Sequence, residues 1–186
     1  MDRTEFILIA LIAAASPLLG AAYRKIFESS NGFSVEYPGT WHLESLSRHF
    51  YIESFPPSET VRGVRLPPGG ASITITVPLE LKKWLASTHR EMPTNLEEWV
   101  AAGTWRQRVI SKRSLEVGDG PRRIAVVEVI AQCCAVAPFQ ESVNWYFETE
   151  RRMFLASLQY WQDDSKADKL REILRQVVLS LKVNRH

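Results

Sequence analysis

The chain has 186 residues, 45 % hydrophobic and 24 % charged, with a formal net charge of +2 at neutral pH. That length and balance suit one domain with a core of its own, needing neither disulfide nor metal staples. So small a charge does not imply nucleic acid or an acidic membrane surface as partner, and removing residues 1–22 moves it only to +3.

Phe6 to Tyr23 carries no charged residue, and Phe6–Ile12 is an apolar block of the length found in secretory signals. Ser16-Pro17 breaks its helical pattern. Gly20-Ala21-Ala22 then sets small residues at the −3 and −1 positions of a cleavage site. No Cys follows the block, which argues against a lipoprotein. Residues 1–22 are therefore read as a signal peptide cleaved after Ala22, or as an N-terminal membrane anchor. The anchor reading rests on eighteen uncharged residues, close to a bilayer span. Arg24 and Lys25 would then hold the domain in the cytoplasm. A buried core helix is the third reading, and Asp2 and Glu5 around Arg3 depart from the positive start usual in signals. The expected location is extracytoplasmic, periplasmic or secreted, with a membrane-anchored chain as the alternative. Residues 23–186 make the domain.

Phe33–Tyr37 alternates apolar and polar residues up to Pro38-Gly39, a half-buried strand entering a turn. Trp41–Leu43 resumes the extended pattern, and His49–Phe55 reads as a strand stopped by Pro56-Pro57. Residues 58–70 read as a loop. In 71–77, Ile73, Ile75 and Val77 point one way and Ser72, Thr74 and Thr76 the other. Leu81, Trp84, Leu85 and Thr88 predict a short helix. Thr94 and Glu97 have capping-box spacing for a second, with Leu96, Trp99, Val100 and Gly103 on its inner face. Residues 108–117 and 122–133 read as strands joined through Gly118–Pro121, and 142–150 and 154–160 as two more joined near Arg151. Leu170, Ile173, Leu174, Val177, Val178 and Leu181 recur at helical spacing, with Ser165 and Asp168 at the helix start. Hairpins with helices only at intervals predict an α+β domain, a mostly antiparallel sheet covered by helices.

Gly32-Phe33-Ser34-Val35-Glu36-Tyr37-Pro38 followed by Trp41 resembles the opening strand of PsbP-like and Mog1-like domains. Those domains begin on a similar phrase of Gly-Phe-Ser-Phe, then Tyr-Pro, then Trp. The order of later elements, to Phe154–Leu158 and a helix ending Ser180-Leu181-Lys182, extends the resemblance over residues 26–183. It implies a single domain with an antiparallel sheet sandwiched between helices. Members include a photosynthetic extrinsic subunit, a Ran-binding factor and chaperones for secreted effectors, so an interaction role is implied rather than any one chemistry.

No nucleophile elbow, Walker loop or dinucleotide fingerprint is present. Gly118-Asp119-Gly120 lies between strands, where it makes a turn and cannot offer a helix N-terminus to phosphate. His42, His49, His89 and His186 lack metal-ligand spacing, although His42 and His49 could approach across a hairpin. Adjacent Glu97 and Glu98 point apart on a helix. Cys133-Cys134 fits no spaced disulfide framework, and no chemistry is assigned to it. Trp41, Trp99 and Trp145 fall on faces expected to be buried. No cofactor, metal or catalytic residue is expected.

One constellation stands out. If 122–133 and 142–150 are consecutive antiparallel strands, Arg122 and Arg123 reach the end of the sheet where Arg151 and Arg152 lie. Counting back from a 135–141 connection sets 123 opposite about 152. Four guanidiniums there could hold an acidic partner. The expected function is non-enzymatic protein binding or complex assembly. The partner would be another protein, with no nucleic acid and with membrane contact only through the N-terminal segment if it is uncleaved. The alternative is a small-molecule or ion-binding module with a pocket between sheet and helices.

Overall fold

Apolar residues at every second position in 33–37, 73–75 and 154–160 bury one side of those strands, and the chain folds back on itself as antiparallel ladders. The computed structural model describes residues 24–46, 49–56, 66–105, 107–133, 139–162 and 164–184. Residues 1–23, and with them the signal or anchor segment, lie outside that description, as do Cys134, most of the 58–70 loop and His186.

The strands are β1 (Arg24–Ser29), β2 (Phe33–Pro38), β3 (His42–Leu46), β4 (His49–Glu53), β5 (Ser72–Thr76), β6 (Arg108–Val117), β7 (Ile124–Cys133), β8 (Gln140–Thr149), β9 (Arg152–Trp161) and β10 (Lys182–Val183). Helices α1 (Lys82–Ser87) and α2 (Leu96–Thr104) fall between β5 and β6, and α3 (Ala167–Ser180) follows β9. A seven-stranded sheet runs β3-β4-β5-β9-β8-β7-β6, and a three-stranded one runs β1-β2-β10. Every ladder among them is antiparallel. The fold is α+β, as expected.

Parity along the strands separates two cores. Val143, Trp145 and Phe147 of β8 and Phe154, Ala156 and Leu158 of β9 pack with Phe33, Val35 and Tyr37 of β2 and with Leu170, Leu174, Val177 and Val178 of α3. On the other face, Val129 and Tyr146 pack with Leu85 of α1 and with Trp99, Val100 and Ala102 of α2. Helices thus lie on both faces, but α3 shares its layer with the small sheet. Alternation does not reveal that sheet. In β1 only Ser29 is buried, and β10 is two residues long.

Local chemistry moves two caps from their expected places. Asn95, not Thr94, caps α2: its side-chain oxygen accepts from the Glu98 N–H at 2.9 Å. Glu98 in turn accepts from the Thr94 N–H at 2.7 Å and the Thr94 hydroxyl at 2.9 Å. The box sits one residue later than its sequence spacing suggests because Thr94 remains outside the helix. At α3 Ser165 makes no cap bond, and Asp164 Oδ1 accepts from the Lys166 N–H at 2.7 Å.

Candidate functional site

Arg122 ends a 3₁₀ turn over Gly120–Arg122, made possible by Gly118 at φ +97°. The β7–β8 ladder runs from Cys133↔Gln140 to Val126↔Phe147, so its continuation brings position 123 level with 150. Arg152 instead pairs with Thr149 across the β8–β9 hairpin. The count that sets 123 opposite 152 is therefore corrected, because β8 begins at Gln140 and the connection is shorter than expected. All four arginines lie toward one end of the large sheet.

They do not share a face. Arg123 contacts Glu116 at 3.4 Å, and Glu116 stands between Leu115 and Val117, which pack toward α3. Glu116 and Arg123 therefore belong to the α2 side. Arg152 has the parity of Phe154, on the α3 side, with its guanidinium 5.6 Å from the Phe154 ring. Arg152 also donates to the Gly32 carbonyl at 2.9 Å and the Asn31 carbonyl at 2.5 Å. It staples the β1–β2 turn to the large sheet. Arg151 is exposed in the hairpin turn at φ 61°.

Arg152 also lines a cleft of about 560 Å³ with Ser30, Asn31, Gly32, Val77, Pro78, Leu79, Met153 and Asn184. A second cleft, about 380 Å³, is bounded by Gly69, Phe139, Trp161, Gln162 and Asp164–Lys166. Both open at the ends of strands.

The α3 side carries two polar groupings. Glu128, 2 % exposed, accepts from Trp145 Nε1 at 2.9 Å and from Arg113 Nε at 2.7 Å. The Tyr160 hydroxyl donates to Glu141, and Arg171 donates to Glu141 at 3.0 Å and to Tyr160 at 3.2 Å. Burial first, and then the bond to the Glu141 carboxylate, pushes the Tyr160 hydroxyl up to about 12. Both carboxylates are engaged by donors in their own layer, and neither cleft includes them. This arrangement orders the layer.

Among the described residues no group of three or more His, Cys, Asp or Glu side chains could hold a metal ion. His42 pairs with Glu53 and His49 with Leu46, so the two histidines sit at opposite ends of the β3–β4 hairpin and do not approach. Trp41, Trp99 and Trp145 are buried as expected.

An open feature is the edge strand β6, which among the described residues pairs only with β7. Seven residues from Arg108 to Ser114 are exposed, with Val109 at 44 % and Ile110 at 53 %. A bulge between Val109 and Ser111 leaves Ile110 out of the ladder. Arg113 pairs with Glu128 and Arg123 with Glu116, while Arg108, Lys112 and Arg122 make no ion pair among the described residues. Sequence reading finds β6 as a strand but not as an edge. The available signal was its polarity at both parities, with Arg108, Lys112, Arg113, Ser114 and Glu116 on a strand too polar to be central.

No protein-family model matches the chain, and no curated protein is similar to it in sequence. Solved structures do resemble it. A Bacteroides thetaiotaomicron protein matches 87 % of the chain at 13 % identity with a TM-score of 0.51, and the chain spans about half, 49 %, of that protein's length. Cyanobacterial PsbP from Synechocystis matches 92 % of the chain and 98 % of its own, at 11 % identity and a TM-score of 0.45. LpqN of Mycobacterium tuberculosis, described as involved in cell envelope biogenesis, matches 88 % of the chain and 92 % of its own, at 10 % identity and 0.44. Likeness at such identities concerns the fold alone.

Proposed function

We propose that residues 23–186 form a non-enzymatic, extracytoplasmic protein-binding domain whose docking edge is β6. The observation that carries this reading is the ten-residue outer strand, its edge unpaired among the described residues, with exposed Val109 and Ile110. Alternate residues of an edge strand turn their N–H and C=O groups outward, and an extended segment can satisfy them by adding a strand. Arg122 and Arg123 lie where β6 turns into β7 and extend its positive character. Arg151 and Arg152 belong to the neighbouring hairpin, beside the larger cleft. The non-enzymatic reading is supported by the full engagement of Glu128 and Glu141. The location rests on the charge-free segment ending Gly20-Ala21-Ala22.

A photoreactive side chain at Ile110 tests the edge in the native cell, with one at exposed Lys169 on α3 as the control. A discrete protein adduct should form from Ile110 alone. No adduct there, or equal adducts from both positions, rejects β6 as the docking edge. Intact mass tests the location: the native species should lack residues 1–22, and a species retaining them rejects cleavage.

A small-molecule reading is favoured by one observation, the 560 Å³ cleft where Ser30, Asn31 and Asn184 accompany Arg152. Ligand-induced shifts confined to these residues would support it.

A further inference from the structure

We infer that β6 accepts, as an eighth strand of the large sheet, an extended segment of a partner protein bearing acidic side chains. This rests on the docking edge proposed above and adds the chemistry of its occupant.

Charge complementarity selects the occupant. Along β6 and the turn that follows, Arg108, Lys112 and Arg122 make no ion pair among the described residues. The two acids of the same stretch each have a basic neighbour, Glu116 with Arg123 at 3.4 Å and the exposed Asp119 with Arg175 at 3.7 Å, against five cations, Arg108, Lys112, Arg113, Arg122 and Arg123, in residues 108–123. Opposite charges directly across a ladder stabilise it and like charges oppose it. An incoming strand with Asp or Glu near positions 108 and 112 gains both pairs. A neutral strand gains neither, and a basic one is repelled.

The same residues disfavour a second copy of this chain. Two β6 strands related by a two-fold axis pair antiparallel, each contact occurring twice. Registers centred at 112, between 112 and 113, or at 113 set Lys112 against itself, Lys112 against Arg113, or Arg113 against itself. Edge lysines and bulges are known devices against indiscriminate strand pairing. In those three registers Lys112 and the bulge at Ile110 oppose the self-match, while the acidic match stays open. Parity adds a detail. Arg108 and Arg113 pair with Gln132 and Glu128, while Lys112 pairs with Val129 on the opposite face. The incoming strand therefore needs acidic residues on both its faces. Exposed Ile110 offers an apolar contact at one end.

The test uses the full chain and three capped nine-residue peptides of one β-branched framework, carrying Glu, Gln or Lys at the variable positions. Binding is followed by backbone amide shifts. The Glu peptide should move the amides of residues 108–117 and bind about tenfold more tightly than the Gln peptide, as two exposed ion pairs allow. The Lys peptide should bind least, and added salt should narrow the differences. Arg108→Glu with Lys112→Glu should reverse the order while leaving the thermal midpoint unchanged, since both side chains are exposed.

Equal binding of the three peptides overturns the inference. So does failure of the Glu peptide to bind, movement of amides away from β6, or a concentration-dependent loss of the β6 amides that marks a second copy. The docking edge is judged separately by the Ile110 adduct. An adduct whose cross-linked segment is neutral or basic removes the acidic occupant and leaves the edge standing, whereas no adduct removes both.

Discussion

Gly103 of α2 lies against the Tyr146 ring of β8: a Cβ built at Gly103 would meet the Tyr146 hydroxyl and stand 2.8 Å from Cε1 and 2.9 Å from Cζ. The helix approaches the sheet this closely only because the position has no side chain. Gly103→Ala gains roughly 1 kcal/mol of helix propensity. Overpacking a buried ring costs about 1–3 kcal/mol. The clash should outweigh the gain, giving a net loss of up to about 2 kcal/mol by chemical denaturation. Tyr146→Phe removes the nearest atom, a hydroxyl without a hydrogen-bond partner among the described residues, so the double variant should recover part of the loss. Full additivity of the two substitutions would show that they do not touch.

Trp99 anchors the same contact. It is fully buried and meets Tyr146 edge-on at 6.1 Å between ring centroids. Trp99→Ala should cost roughly 3–5 kcal/mol. A loss under about 1 kcal/mol, typical of surface sites, would contradict this packing.

The cap of α2 predicts a pH dependence. The Thr94 N–H bond, followed by the Thr94 hydroxyl, holds the Glu98 carboxyl below its ordinary 4.5. A lowered folded-state value contributes stability above the unfolded value and loses it as pH falls through the folded one. Glu98→Gln should therefore lower the thermal midpoint at pH 7, and the difference from wild type should disappear as pH falls below about 4.5. Glu97→Gln should change little at either pH. The reverse ranking would restore the box to Thr94 and Glu97.

The arginines should separate into structural and surface roles. Arg152→Ala removes two bonds to the β1–β2 turn and should cost about 2 kcal/mol, as charged donors to carbonyls do. Arg151→Gly should instead raise stability by about 1 kcal/mol, because a residue with a Cβ is strained at φ 61°. Equal thermal midpoints for the two variants would contradict both assignments. Charge reversal at Arg152 is for the same reason unsuited to testing partner binding.

Removing Glu128 should be costly out of proportion to its size. Glu128→Ala leaves the Trp145 indole N–H, now bonded at 2.9 Å, without its acceptor in a buried layer. The loss should reach about 3 kcal/mol, whereas Glu128→Gln, which keeps a carbonyl acceptor, should lose about half of that. If Gln costs as much as Ala, the ion pair to Arg113, not the indole bond, carries the energy.

Period-2 alternation determined most of the large sheet before any contact was known. Ile73 and Ile75 in β5, Val143 to Phe147 in β8 and Phe154 to Tyr160 in β9 place alternate side chains in one core, because a strand's two faces follow directly from residue order. The spacing of Leu170, Leu174 and Val177 likewise marked the inner face of α3. Tertiary structure alone decided what lacks a local period. β1 and β10 bury too little to be marked by pattern, and they exist because β2 offers them a partner on each side. The grouping of four arginines at one end of the sheet was legible, but their pairing was not: β8 begins at Gln140 and not at 142, and a shift in where a strand begins changes every pairing beyond it. The polarity of β6 at both parities marked it as other than central, but the order of the strands was beyond local sequence. Edge position depends on the order of β9, β8, β7 and β6 in space, and that order is set by which ladders can share one core.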